Sequence, residues 1–237
     1  MFGVCRNSYW RFAVAALTVA LVLSGAELRG DLIIEVQDAS VTPGGQSFVD
    51  VTIRSDSGIV NLNDFSISVG ITGSITNGEL LFSAGQMSDT DMSGLSDYVF
   101  STSRLSGGDT SFYSTTVTNS PPPTIVAADA TIPPFGSPNQ GVSIGTTSLL
   151  LARLNVTHSF FSTAADTLGD TYTLTVNDPS GDTYFADKDG NAVAFTVGRA
   201  GLLTVTPEPS VASLGGVAAC VTAFWLRRRR ATLHGPA

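Results

Sequence analysis

The stretch Val49-Asp50-Val51-Thr52-Ile53-Arg54 decides the fold of this chain. Apolar residues occupy every second position, and polar residues fill the positions between them. Since successive side chains of a β-strand point to opposite faces, this alternation predicts a strand with one buried and one wet face. The same period recurs at residues 32–36, 65–71, 150–156, 172–176, 193–197 and 203–205.

Turn-forming segments separate these runs. Thr42-Pro43-Gly44-Gly45 lies between the first two runs, and Asp178-Pro179-Ser180-Gly181 follows the run at 172–176. Asp187-Lys188-Asp189-Gly190-Asn191 precedes the run at 193–197. Proline, glycine, aspartate and asparagine favour tight turns for distinct stereochemical reasons. Seven or more short strands with this punctuation predict an all-β domain over residues 27–206, a single antiparallel β-sandwich.

Residues 101–147 depart from this order. They contain Gly107-Gly108, Pro121-Pro122-Pro123, Pro133-Pro134 and Pro138. Proline cannot donate a ladder hydrogen bond, so this insertion is expected to be loop or edge structure and not central strand. Short apolar pieces such as residues 124–127 could pack onto the sandwich.

The net charge of the central part of the chain, which we call the body, limits the partners that it can bind. Residues 31–206 hold five basic residues against eighteen acids, which gives a net charge near −13. Such a surface repels phosphate backbones, and nucleic acid is therefore excluded as a partner. Cys5 and Cys220, the two cysteines, lie outside this region, so the domain has no disulfide and must be held together by packing.

The N-terminus has the pattern of a signal peptide. Arg6 and Arg11 precede an apolar run at residues 12–23, and small residues end at Ala26. This predicts a signal peptide over residues 1–26 with cleavage after Ala26, the neighbourhood of Gly30 being the second candidate. An uncleaved anchor is the alternative, although the run is shorter than the ~20 residues that a span needs.

The C-terminus combines a short rigid motif, an apolar run and a basic stop. Pro207-Glu208-Pro209 is followed by residues 211–226, and then by the cluster Arg227, Arg228, Arg229 and Arg230. Positive charge at the flanks of both apolar ends is typical of cytoplasmic segments. We therefore expect a transmembrane helix within residues 207–230, a cytoplasmic tail at 231–237, and the intervening chain outside the inner membrane.

This C-terminal arrangement resembles the PEP-CTERM tail of exported bacterial proteins. The resemblance covers residues 207–230. It implies recognition by a membrane-embedded exosortase, processing near the Pro-Glu-Pro motif and transfer to the cell surface or the extracellular matrix. It says where the protein goes and not what the protein does there.

The body resembles a cohesin-type domain, a jelly-roll β-sandwich related to carbohydrate-binding modules. The resembling segments are residues 41–53, 61–65, 151–156, 169–174, 185–191 and 201–205. The middle of the chain is longer and richer in proline than a compact cohesin, and the sequence has no dockerin-like duplicated calcium segment. The resemblance therefore implies the fold, and no dockerin-binding residue is carried over.

One loop has the residue types of a calcium site. Asp187, Asp189 and Asn191 place oxygen ligands at alternate positions around Gly190, and Asp182 is close in sequence. The EF-hand pattern is incomplete because glycine stands where the final glutamate would be. The alternative is a hairpin turn whose Asp and Asn side chains cap backbone groups. Ca²⁺ is the one cofactor that the sequence suggests, and Asp89 with Asp91 poses the same choice.

No catalytic constellation stands out. His158 is the one histidine of the body, it continues the apolar face of residues 154–156, and no G-x-S-x-G motif accompanies it. Nothing singles out a pair among the carboxylates for glycoside hydrolysis. The aromatic residues near the insertion would stack on sugars if exposed and belong to the core if buried: Tyr98, Phe100, Phe112 and Tyr113.

The sequence thus predicts an exported, non-catalytic surface or matrix protein with a structural or adhesive role in an extracellular polysaccharide layer. The first alternative is a cohesin-like module that binds carbohydrate or protein. The second is a secreted polysaccharide hydrolase.

Overall fold

A computed structural model describes residues 30–73, 76–101, 113–131, 141–177 and 182–208. The predicted signal peptide and the expected transmembrane helix with its arginine stop lie outside these residues, as does Phe112. Within the described part of the chain, no helix combines the length and the apolar character needed to span a membrane.

Two β-sheets packed face to face make up the domain, which confirms the all-β prediction. In chain order the strands are β1 (Leu32–Val36), β2 (Ala39–Val41), β3 (Gln46–Ser55), β4 (Val60–Gly73), β5 (Gly78–Phe82), β6 (Ser114–Thr118), β7 (Thr124–Ala130), β8 (Val142–Ile144), β9 (Leu149–Phe160), β10 (Thr171–Val176), β11 (Tyr184–Asp187), β12 (Phe195–Arg199) and β13 (Gly201–Val205). A short helix α1 (Asp89–Ser93) and a 3₁₀ helix (Ala164–Thr167) complete the described elements.

The five-stranded sheet, sheet A, has the order β12-β1-β3-β9-β5. The second sheet, sheet B, has the order β2-β13-β10-β4-β7-β6, and β8 and β11 also pair with β4. β1 runs parallel to β12, and β2 runs parallel to β13. The sandwich is therefore not wholly antiparallel as predicted. The first two described strands, β1 and β2, lie in different sheets, as do the last two, β12 and β13, and each of the first pair runs parallel to one of the last pair.

The inner faces of the two sheets form the core, as the period-two runs predict. Val49, Val51 and Ile53 on β3 are at most 1% exposed. The intervening Asp50, Thr52 and Arg54 are half-buried on the outer face. Phe65 stacks against Phe100 and Phe185 in the middle of the sandwich, with ring centroids 5.8 and 6.4 Å apart.

The proline-rich region, residues 101–147, contributes the three strands β6, β7 and β8, so its description as loop or edge structure is only partly correct. β6 is indeed the edge strand of sheet B. β7 lies between β4 and β6, and seven of its residues pair with residues 64–70 of β4. The prolines at 121–123 lie in the turn between β6 and β7, where no ladder hydrogen bond is required.

The run at residues 193–197 is also shifted from its prediction. The strand begins at Phe195 and not at Val193, and its outermost residues are exposed because β12 forms an edge of sheet A.

The aromatic residues beside the insertion that the structure describes belong to the core. Tyr98, Phe100 and Tyr113 are 2%, 0% and 6% exposed, so the sugar-stacking alternative does not apply to them. The Tyr98 hydroxyl donates a short hydrogen bond to the buried Asp129 carboxylate, which also accepts the N–H of Ala130. The Tyr113 hydroxyl is buried and has no hydrogen-bond partner among the described residues.

These two tyrosines give a matched test of the buried polar contact. We expect Tyr98→Phe to lower the free energy of unfolding by about 1.5–3 kcal/mol, because a buried carboxylate loses a donor. Tyr113→Phe removes a hydroxyl that makes no hydrogen bond to the described residues, and it should leave stability unchanged or slightly raised. Urea unfolding of both variants measures the difference. Equal losses would show that the Tyr98–Asp129 hydrogen bond does not stabilise the fold.

Candidate binding face

The outer face of sheet B is nearly free of charge. Its six ordered strands carry only two aspartate or glutamate side chains and no lysine, arginine or histidine: Asp64 lies near one end of β4, and Asp129 points into the core. The register places small and hydroxyl side chains side by side across the strands. From β13 to β6 the outward-facing residues are Leu202, Thr204, Thr171, Thr173, Thr175, Ser66, Ser68, Gly70, Thr72, Thr124, Val126, Ala128, Ser114, Thr116 and Thr118. We call this surface the hydroxyl face.

The outer face of sheet A has the opposite character. The Arg153 guanidinium makes two hydrogen bonds to the Asp50 carboxylate, at 2.7 and 2.8 Å, and lies 4.2 Å from the centre of the Phe48 ring. These bonds to Asp50 also raise the pKa of Arg153. Arg54 lies 3.5 Å from Glu35 on the neighbouring strand. The charged residues of the sheets are thus concentrated on one side of the sandwich.

The described ends of the β10–β11 connection, Asn177 and Thr183, contact the middle of β4. The Thr183 hydroxyl donates to the Asn177 carbonyl at 2.7 Å and accepts the Ser68 N–H at 3.1 Å. The Asn177 amide donates to the Ser68 hydroxyl and packs so closely that a Cβ on Gly70 would lie 3.2 Å from it. The central residues of β4 are therefore covered, while the flanks formed by β6, β7 and β10 are partly or fully exposed.

Apolar side chains mark both ends of the hydroxyl face. Tyr184 pairs with Ser66 and is 50% exposed, and Leu202 on β13 is 45% exposed. Four interstrand spacings of about 4.8 Å between β13 and β6 make the face roughly 19 Å wide, and strands of five residues make it roughly 17 Å long. The resulting ~320 Å² is less than half the ~800 Å² per partner of a standard interface. A partner would therefore also contact the rim.

The proposed calcium residues come together in a tight turn. Asp187 is 7% exposed, and its Oδ1 accepts the backbone N–H groups of Asp189 and Asn191, each at 2.9 Å. Gly190 has a φ of 78°, which the turn requires. The Asp189 carboxylate pairs with Lys188 at 2.9 Å. This is the geometry of the hairpin-turn alternative.

The same turn lines a cleft of about 450 Å³ together with Asp31. Among the described residues, no three His, Cys, Asp or Glu side chains converge on a point where they could hold a metal ion. The calcium site at Asp187, Asp189 and Asn191 stays a prediction, and calorimetric titration with millimolar Ca²⁺ tests it.

The second acidic pair, Asp89 and Asp91, has defined structural roles. Asp91 forms a capping box with Ser88 at the start of α1, and the hydrogen bonds from Ser88 lower the pKa of Asp91. Asp89 accepts the backbone N–H of Tyr113 at 2.9 Å. Both carboxylates therefore satisfy backbone donors.

His158 is buried at the inner face of β9. Its Nδ1 accepts the N–H of Gly44 at 3.3 Å, which assigns the proton to Nε2. Nε2 is buried without a hydrogen-bond partner among the described residues, and the ring packs edge-on against Tyr172 at 5.9 Å. Gly78 lies against Nε2, where a Cβ would approach to 2.9 Å. The described residues around His158 form no Ser-His-Asp arrangement.

Two of the sorting residues are described. Pro207 and Glu208 are exposed and follow β13 directly, so the motif begins where the sandwich ends. Pro209 and Arg227, Arg228, Arg229 and Arg230 lie outside the described residues.

Comparison with known proteins identifies similar structures but no family. No protein-family model and no curated protein matches the chain. The third ScaC cohesin of Acetivibrio cellulolyticus, solved with the ScaB dockerin, is 13% identical, with a TM-score of 0.46 over 74% of this chain and 99% of that one. A non-cellulosomal cohesin of Archaeoglobus fulgidus is 13% identical, with a TM-score of 0.41 over 76% and 94%. The seventh ScaB cohesin of Pseudobacteroides cellulosolvens is 12% identical, with a TM-score of 0.44 over 76% and 95%. The likeness is one of β-sandwich architecture.

Sequence reasoning did not identify the hydroxyl face. A signal for it was present in the wet positions of the period-two runs, which carry Asp50 and Arg54 on β3 but only Ser, Thr and Gly at positions 66–72 and 171–175. Which runs share a sheet, and therefore whether these positions adjoin, depends on long-range pairing that the alternation does not reveal.

The burial of His158 predicts a pH dependence of stability. Burial lowers its pKa below the ordinary value of 6.5, against a smaller opposing effect of Asp170. The folded state therefore binds fewer protons than the unfolded state, and stability is complete above about pH 6.5 and falls as the pH drops below it. Urea unfolding between pH 7.5 and 5 should show this decline.

His158→Asn provides the control, because its side-chain oxygen can still accept the Gly44 N–H. The variant should lose the decline between pH 7 and 5. The carboxylates with lowered pKa values, Asp38, Asp91 and Asp166, titrate below this window and act equally in both proteins. An unchanged decline in the variant would assign the pH dependence to other groups.

Proposed function

We propose that this chain is an exported, non-catalytic module that binds a protein partner through the hydroxyl face. The observation that carries the proposal is the contrast between the two outer faces of one acidic sandwich. Sheet A carries exposed and half-buried ion pairs, whereas the hydroxyl face spans five strands and offers uncharged small side chains on the flanks formed by β6, β7 and β10.

The desolvation cost of charged groups explains why an uncharged face suits the binding of a partner. Charged groups must be desolvated when a partner covers them, and the centres of protein interfaces are accordingly depleted of charge. Threonine, alanine and valine methyl groups can be covered at little cost, and their hydroxyl neighbours can still exchange hydrogen bonds with a partner. Tyr184 supplies the kind of exposed aromatic anchor that concentrates binding energy.

A protein partner fits this surface better than a carbohydrate. The outward positions of the hydroxyl face contain no aromatic residue apart from Tyr184 at its end. The other aromatic residues near the insertion that the structure describes are in the core. Stacking platforms for successive sugar rings are therefore not available on the described face.

The proposal includes export and sorting. The signal-peptide pattern of residues 1–26 and the resemblance of residues 207–230 to a PEP-CTERM tail support a route through the inner membrane to the cell surface or matrix. An exosortase-type enzyme would then act near Pro207. The exposed position of Pro207 and Glu208, directly after the last strand, would leave the motif accessible while the domain is folded. A structural role within an extracellular polysaccharide layer is compatible with a protein-binding face.

A single added charge on the hydroxyl face should abolish partner binding. The full chain would be immobilised and exposed to the envelope fraction of its host, and the retained proteins identified by mass spectrometry. We expect the Thr116→Glu variant to retain at least about tenfold less partner, since a buried unpaired carboxylate is strongly penalised. Ile59→Glu, which adds the same charge at a residue that is 68% exposed and lies off the face, is the matched control.

A glycan array with the same variants tests the rival ligand. Glycan binding that Thr116→Glu removes, without any retained protein, would contradict the protein-binding proposal. Equal retention by both variants would exclude the hydroxyl face as the binding surface.

Sorting predicts a defined processed species. Intact-mass analysis of inner-membrane, surface and medium fractions from the native host should find a surface or released form that lacks residues 211–237. The replacement of Pro207 and Glu208 by alanine should retain the full-length chain in the inner membrane. A full-length C-terminus at every location in the unaltered protein would make the tail an ordinary anchor.

A further inference from the structure

A second surface, at the far edge of sheet A, has features that the hydroxyl face lacks. β5 is the last strand of sheet A, and only β9 pairs with it among the described strands. A groove of about 470 Å³ runs along this strand. Its walls include Leu80 and Leu81 of β5, the prolines at 121–123, Phe161 and Tyr172. We call it the β5 groove.

The outward backbone groups of β5 follow from its register with β9. Phe161 donates to the Asn77 carbonyl and Ser83 donates to the Asn155 carbonyl, each at 2.9 Å. In an antiparallel ladder, alternate residues direct both backbone groups to the same neighbour. Glu79 and Leu81 therefore face β9, while Gly78, Leu80 and Phe82 direct their N–H and C=O groups away from it.

One of these outward residues already has a strand-like partner. The Asn119 side chain accepts the Phe82 N–H at 3.3 Å and donates to the Phe82 carbonyl at 3.0 Å. A primary amide thus takes the place of a peptide group at this end of the edge. Among the described residues, nothing plays the same role for Leu80, two residues further along.

The groove is apolar and contains an unused polar group. Phe161 is 58% exposed, although it lines the groove beside the prolines. Tyr172 is 1% exposed, and its hydroxyl has no hydrogen-bond partner among the described residues. Burial, with smaller effects of Asp170 and Glu79, raises the pKa of Tyr172 to about 12, so the hydroxyl stays a donor.

The surroundings of the groove are acidic. Glu79 lines it, and Asp170 is close enough to act on Tyr172. Among the described residues, neither carboxylate makes an ion pair with a lysine or arginine. A second copy of this chain would bring identical carboxylates against each other, whereas a basic partner would be attracted.

We propose that β5 and its groove form a strand-addition site for an extended segment of a partner protein in which apolar residues alternate with lysine or arginine. The backbone of the segment pairs with the outward groups of Leu80. Its apolar side chains enter the groove beside Phe161, and its cations lie near Glu79. Main-chain pairing of this kind supplies affinity, and the groove selects the side chains. The groove adjoins the hydroxyl face at Thr72, but strand addition at β5 does not depend on a partner bound to that face.

The test measures fluorescence anisotropy of a labelled hexapeptide, acetyl-(Lys-Leu)₃-amide, with the purified full chain. We expect saturable binding that weakens with added salt, and no binding of the (Glu-Leu)₃ peptide. Two further peptides carry N-methyl groups on the leucine amides only or on the lysine amides only. Since a strand offers alternate amides to its neighbour, one of these two peptides should lose binding and the other should keep it. Equal affinity of both would overturn the strand-addition proposal.

Matched variants locate the site. Phe161→Ser should weaken peptide binding by about tenfold, the loss typical of an interface aromatic. Phe48→Ser, which removes a ring that is 50% exposed on the outer face of sheet A, should leave it unchanged, as should Thr116→Glu. Equal effects of Phe161→Ser and Phe48→Ser would place the peptide elsewhere and overturn the proposal. So would a sedimentation result in which the chain is a dimer that Phe161→Ser converts to a monomer, because a second copy would then cover the edge.

Discussion

The whole domain depends on β4, a strand of 14 residues that pairs with two strands along each of its edges. β7 and β8 share one edge, and β10 and β11 share the other. In a ladder, each backbone N–H and C=O pairs with one neighbouring strand. Where one partner strand of β4 ends and the next begins, backbone groups of β4 therefore need another hydrogen-bond partner. At Ser68, between the segments paired with β10 and β11, the Thr183 hydroxyl accepts the backbone N–H and so supplies that hydrogen bond.

The separation of charge between the two outer faces is not a requirement of this fold. Both sheets obtain their stability from inner faces that are packed alike, and exposed or half-buried ion pairs such as Arg54–Glu35 contribute little. The hydroxyl face could therefore carry charges at no cost to folding, and in a body with eighteen acids between residues 31 and 206 their absence needs another cause. Contact with a partner is such a cause, because an interface penalises charged side chains on this outer face, whereas folding does not.

The sequence predicted those elements that depend on local alternation. The runs around Val51, Ile67 and Leu154 became core strands because their period matches the pleat. β5 was not predicted because Leu80, Leu81 and Phe82 form a continuous apolar run without alternation. β7 was assigned to the insertion because of the adjacent prolines. The two parallel pairs at the chain ends and both candidate surfaces arise from long-range register, and alternation carries no information about strand direction or neighbours.

The edges of the sandwich differ in how they avoid unwanted pairing. An open edge strand invites another chain, and proteins commonly protect such edges with charge or with side chains that occupy the backbone groups. β5 has both kinds of protection in part: Glu79 on the strand, and Asn119 at Phe82. One carboxylate repels a second copy of an acidic protein but attracts a basic segment, so the same residue excludes self-association and admits the proposed partner. The amide of Asn119 closes only one end of the strand, and the apolar walls beside Phe161 remain where a fully protected edge would need polar cover.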